Sequence, residues 1–276
     1  MGTIDVATDE DCTNIVQVHY TYVTEKTSKG TANPAYSTLK NIIDGKYGSV
    51  MANGKEKAVK LRIDTAIALN EFYVDRNGKE ELVSAKRNEG GFIHTTDALT
   101  EDENARSKFE CEILITGVTE QEADEEKKLP AKAIVRGAIF DFRGALLPVE
   151  FSATNPKAMA YFVGLNASNS NPTLTKVWGR QISEVIVRQI VEESAFDDDY
   201  VREVKNTRKD FLITGASKEP MVWDDESTIT AAELTEAIAA RETYLATIKQ
   251  RQDEYKASKA ATPAAAAPAK GGFNFQ

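Results

Sequence analysis

The sequence predicts a mainly β fold with helical additions, on three observations. Runs rich in apolar and β-branched residues recur between about residues 59 and 214. Turn pairs such as Asn77 with Gly78 and Arg143 with Gly144 separate several of them. A single long helical pattern with its own start signal, Thr230, follows.

Taken in order, residues 1–35 are polar and irregular except for a strand-like run over 15–23. Pro34 closes that section, and a short helix is expected over 36–43, stopped by Gly45. Two long strands, 59–74 and 82–95, flank Asn77 and Gly78, the strongest short hairpin signal. Gly90 and Gly91 mark a bulge in the second strand. Residues 109–118 form the next strand, and the acidic stretch 120–128 reads as a solvated loop. A hairpin then joins 131–142 to 145–151.

Asn155 and Pro156 are an N-cap and a first helical residue, so a short helix follows over 158–163 with Gly164 as its C-cap. Residues 174–182 read as a strand. Ser183 is expected to open a helix, because Val185, Ile186, Gln189 and Ile190 fall at helical spacing. The last strand spans 201–214. Many strands with a helix before the last two is the order of an OB-like Greek-key barrel. The expected division is an N-terminal extension with one strand over 1–35, an OB-like barrel with insertions over 36–222, a C-terminal helix over 223–259 and a disordered tail over 260–276.

The helix has the clearest local signals. Thr230 and Glu233 make a capping box. Leu234, Ile238, Arg241, Leu245, Ile248, Gln252 and Tyr255 repeat at 4,3 spacing, a heptad seam with two polar interruptions. Such a seam either docks on its own barrel or pairs with another chain, giving a homo-oligomer through residues 231–258. The tail is Ala/Pro-rich and carries Phe273 and Phe275, which read either as a short linear motif for a partner protein or as inert.

Composition narrows the function classes. Of 276 residues, 41% are hydrophobic and 28% charged, an ordinary globular balance. No apolar run has the length of a membrane helix, the first residues carry acids rather than a signal sequence, and Val6 breaks the myristoylation pattern. Sparse cysteine, Cys12 and Cys111, suits a reducing compartment, so a cytoplasmic protein is expected. The net charge of −9 argues against indiscriminate polyanion binding. Between residues 130 and 190, however, cations outnumber acids.

Catalytic motifs are absent: no P-loop, GxGxxG, HExxH or GxSxG occurs. His19 and His94 lack neighbours at metal-ligand spacing, and Asp197 to Asp199 lack the spacing of a calcium loop. A non-enzyme without metal or cofactor is expected, the rival being an enzyme with a dispersed site. What recurs is aromatic residues beside cations: Tyr73 near Arg76, Lys86 and Arg87 before Phe92, Phe140 and Phe142 beside Arg143, and Lys176 and Arg180 around Trp178. Single-stranded nucleic acid needs that combination, rings for base faces and cations for phosphates. Against it, strand aromatics are usually core. Parity sharpens the choice. Lys176, Trp178 and Arg180 share one strand face, and two cations make a poor core face. Arg136 and Phe140 also share a face.

The segments LPAKAIVRGAIFDF at 129–142, LPVEF at 147–151 and TKVWGR at 175–180 resemble bacteriophage-type single-stranded DNA-binding proteins, as does the layout of barrel, linker and aromatic tip. The resemblance implies an OB-fold that coats single-stranded DNA without sequence specificity during replication or recombination. It implies a host-cytoplasmic setting, and a tail that recruits replication or recombination proteins. Two departures stand out: the tail has Lys270 and no acid after Glu254, and the long helix is additional. The competing expectation is a non-enzymatic assembly component that oligomerises through the heptad helix.

Overall fold

A computed structural model describes residues 2–125, 127, 129–192, 200–226 and 228–261. Nine strands divide into two sheets. The first is built from β1 (Gly2–Ala7), β2 (Ile15–Tyr20), β3 (Leu61–Arg76) and β4 (Lys79–Thr95), in the order β1-β2-β4-β3. The second is a closed barrel of β5 (Lys108–Gln121), β6 (Lys132–Phe140), β7 (Leu146–Ala153), β8 (Thr173–Glu192) and β9 (Tyr200–Ala216), in the order β5-β6-β7-β9-β8. Helix α1 (Pro34–Ile43) packs on β4, the short α2 (Val50–Asn53) follows it, α3 (Pro156–Gly164) lies between β7 and β8, and α4 (Ala231–Ala261) comes last. None of the described helices is long and apolar enough to cross a membrane.

Three expectations are corrected. The β3–β4 hairpin, expected in the barrel, belongs to the other sheet. Its turn explains this: Asn77 and Gly78 both take positive φ, which joins the strands tightly and pairs them along their length. The N-terminal region holds two strands, because β1 pairs with β2 from Gly2↔Tyr20 to Ala7↔Ile15. The helix expected from Ser183 is strand: β8 continues to Glu192 in register with β9, from Gly179↔Ile213 to Glu192↔Tyr200. Val185, Ile186, Val187, Ile190 and Val191 are β-branched, and a full-length partner strand outweighs a coincidental helical spacing. A smaller difference lies at α3, which includes Gly164, while Asn166 takes the left-handed conformation after it.

The barrel core is made by alternate residues of every strand. Ile113, Ile115, Ala133, Val135, Ile139, Val149, Phe151, Val177, Phe211 and Ile213 point inward and are almost completely buried. The opposite parity faces out, which is what positions the candidate site. A smaller cluster around Tyr20 lies between α1 and the first sheet. Gly90 is required there, since a Cβ would fall 2.4 Å from the Tyr20 ring. Burial pushes the Tyr20 hydroxyl up to about 12.

Helix α4 begins at the expected capping box, with the Thr230 amide donating to Glu233 at 2.9 Å and the Glu233 amide to the Thr230 hydroxyl at 3.2 Å. It then docks on its own chain. The two polar interruptions of the seam make the decisive contacts. Arg241 meets the buried Glu71 carboxylate at 2.5 Å, and Gln252 bonds both the amide and the carbonyl of Tyr73. Lys249 and Lys256 both reach Glu80.

Removing one partner of a buried ion pair leaves the other charge uncompensated. Arg241→Ala should therefore destabilise the chain by about 3 kcal/mol, and Glu71→Leu with Arg241→Met should recover most of that. Urea unfolding of the three proteins measures it.

Candidate nucleic-acid interface

Trp178 lies at the centre of the outward face of β8. Val177 and Gly179 point into the barrel and are buried, so Lys176, Trp178 and Arg180 point out together. Gly179 cannot be replaced cheaply, because a Cβ would fall 2.0 Å from the Leu212 carbonyl oxygen and 2.9 Å from Phe109. Across the strand, Trp178 lies over Gly215, where a Cβ would sit 2.3 Å from the indole nitrogen. The indole remains 41% exposed.

The two ends of this face differ in charge. At one end Lys176 is held by Glu110 at 2.5 Å, with Glu112 as its register partner. The Lys176 ammonium beside Glu110 lowers that carboxyl's pKa, and the lysine's own rises in return. A cavity of about 820 Å³ opens there between β5, β8 and the start of α4. Glu110, Glu112, Glu233 and Glu236 line it together with Lys176 and Phe140. Phosphate is repelled by such a lining. At the other end Arg180 is the cross-strand partner of Lys108. Its Nε is buried without a hydrogen-bond partner, and among the described residues neither cation has an acidic partner. Like charges directly opposite in a sheet are destabilising unless an anion joins them.

Beyond Arg180 the same face runs onto the β8–β9 ribbon. It is interrupted by buried Ile182 and Leu212 and by Asp210, which pairs with Lys132 at 3.4 Å. Alternation along β9 then presents Arg208, Val204, Arg202 and Tyr200, the last 62% exposed. Sequence reasoning missed Lys108, Arg202, Arg208 and Tyr200. The signal was available in the β-branched run at 185–191, but reading it as helix hid the ribbon.

The other candidates are dispersed. Arg136 is outward, yet tied to Glu150 at 2.5 Å and to Thr119 at 2.8 Å. Phe140 shares its parity but is half-buried in a small cluster with Leu114, Leu174 and Ile229, so its ring is packing material. Arg143 stacks its guanidinium 4.9 Å from the exposed Phe142 ring at the β6–β7 turn. Tyr73 lies against α4, with the Lys249 ammonium 5.5 Å from its ring. Arg87 pairs with Glu89 at 3.0 Å. Lys86 reaches into the barrel's end, bonds the Glu150 carbonyl and lies 5.2 Å from the Phe211 ring and 5.5 Å from that of Phe151. Phe273 and Phe275 lie outside the described residues, as do Asp197 to Asp199. Among the described residues no three His, Cys, Asp or Glu side chains gather to hold a metal.

A family model described as YorF matches residues 1–251. No curated protein and no solved structure matches the chain.

Burial lowers the Lys86 ammonium's pKa from its ordinary 10.5, against the opposing pull of Asp210 and Glu150. The folded state therefore holds that proton less well than the unfolded chain. Between the lowered value and 10.5 the unfolded state binds more protons, so stability from this group rises with pH. Wild type should gain stability relative to Lys86→Met as the pH climbs towards 10.5. Near neutrality Lys86→Met should be neutral or stabilising by about 1 kcal/mol. Denaturation midpoints across the pH range test both points.

Proposed function

The chain belongs to the YorF family, and we propose that it is a non-catalytic protein that coats single-stranded DNA without reading its sequence. The observation that carries the reading is the pairing of Lys108 with Arg180 beside exposed Trp178. These are two adjacent cations without acidic partners and a ring available for stacking. Single-strand binders need that combination on a rigid surface, because every base has a π-face and every nucleotide a phosphate.

Topology supports it. A three-stranded meander, then a helix, then two strands that close the barrel is the layout of an OB-fold, whose outer face and β-hairpin loops hold oligonucleotides. In this reading β8–β9 is the long hairpin. The strand runs from Trp178 past Arg180 and Lys108 towards Arg208, Arg202 and Tyr200, away from the acidic cavity. The expected setting remains replication or recombination in the cytoplasm, with Phe273 and Phe275 recruiting partner proteins. An assembly role through the heptad helix has less support, since Arg241 and Gln252 of that seam are already engaged with β3.

Titration with oligo(dT) should quench the fluorescence of Trp178, and Trp178→Phe should abolish that change. Trp223 packs in the cluster beneath α4 and serves as the internal control. Trp178→Ala should cost about 1–3 kcal/mol of binding. Arg180→Ala should reduce the salt slope of log K by about 0.7, the loss of one phosphate contact to a single strand. No quenching and no gel retardation at low salt would overturn the reading.

A further inference from the structure

The ribbon formed by residues 183–192 of β8 and 200–209 of β9 extends past the barrel with no other strand beside it among the described residues. The pairing of β5 to β8 ends at Lys108↔Arg180, and β9 meets β7 only at Ser152↔Leu212. At about 3.3 Å per residue it projects about 33 Å. A lone two-stranded hairpin is marginal in water. The face opposite the proposed DNA track is nevertheless apolar. Val185, Val187, Gln189 and Val191 share it with Val201, Glu203, Lys205 and Thr207, and the four valines are 52%, 41%, 54% and 52% exposed.

We propose that a second copy of this chain covers this face, ribbon against ribbon about a two-fold axis. The pattern is complementary to itself. An axis lying between the two faces and crossing the strands midway between Glu203 and Lys205 reverses the strand direction. It brings Glu203 of each copy opposite Lys205 of the other. The same operation lays Val191 and Val201 of one copy over Val185 and Thr207 of its partner, so apolar groups meet on both sides of the axis. Self-complementarity about a two-fold is the requirement of an isologous interface.

Area sets the strength. Two strands about 4.8 Å apart and about 33 Å long offer about 330 Å² of face, well under the roughly 800 Å² per partner of a stable interface. The contact is therefore weak between free copies and strengthens when something else holds them together. A shared single strand does that by raising their effective concentration. This last step rests on the proposed DNA-coating function; the ribbon contact itself does not.

Charge reversal separates the two. Sedimentation velocity of the full chain without nucleic acid, over a series of rising concentrations, should show reversible self-association of wild type. Glu203→Lys alone and Lys205→Glu alone should each weaken it by more than about tenfold, because like charges then face each other. An equimolar mixture of the two variants should restore it, since each reversed position then meets its opposite. Circular dichroism of each variant confirms that the ribbon is intact. Single variants that associate like wild type, or a mixture that stays monomeric, would overturn the proposal. Association that behaves as expected in a protein that fails to bind oligo(dT) would leave the ribbon contact standing and remove the coating function. With both intact, wild type should bind long oligo(dT) cooperatively, and each single variant should bind it without cooperativity.

Discussion

Closing the barrel brings three phenylalanines from three strands into one cluster, and the rest of the molecule is arranged around them. Phe109 of β5, Phe151 of β7 and Phe211 of β9 pack with ring centroids 5.1 to 5.8 Å apart. To let those rings meet, β8 must pass very close to β9, and only Gly179 fits the crossing. Gly179 lies between Trp178 and Arg180. The constraint that packs the core therefore also decides which side chains of β8 face outward. The same cluster supplies the surface over which Lys86 lies, and through it the first sheet is joined to the barrel's end. A reciprocal amide pair, Asn88 with Gln181, completes that junction at 2.7 and 2.9 Å.

Charge neutralisation, more than exposure, separates candidate contacts from ordinary surface. The basic balance of residues 130–190 largely disappears on folding, because Lys132, Arg136 and Lys176 each gain a carboxylate. Arg180 does not, and Lys108 beside it does not either. A surface ion pair contributes little to stability, about 0–1 kcal/mol. Its consequence here is selective: it removes cations from the set available to a phosphate. What remains lies at one end of the β8 face and continues onto the ribbon, so the molecule has a direction along which a polyanion is attracted.

Helix α4 and the ribbon exchange the roles that local pattern assigns to them. A heptad seam looks like an invitation to another helix, yet here its polar positions are the anchors that hold α4 to β3. The seam's polar interruptions are specific because Glu71 is almost fully buried and the Tyr73 backbone offers one donor and one acceptor to a single amide. The ribbon, by contrast, carries four exposed valines and no covering element among the described residues. The unsatisfied apolar surface of this chain is on β-structure rather than on the helix.

Local chemistry was enough to read several elements directly. The Asn77–Gly78 hairpin, the bulge at Gly90 and Gly91, the Asn155 cap and the Thr230 capping box depend on residues within a few positions of one another. The outward set of Lys176, Trp178 and Arg180 followed from alternation alone, since two cations on one strand face exclude it from a core. Tertiary structure decided what no local window contains. Whether Ser183 begins a helix or continues a strand depends on β9, up to about thirty residues downstream. Whether Phe140 stacks or packs depends on Ile229 and Leu234 closing over it. Whether a cation is free depends on which carboxylate the fold brings opposite, as with Glu110 for Lys176 and Lys108 for Arg180. Pairing partners are chosen by the closure of the sheet, and the identity of a strand's neighbour is not encoded in the strand.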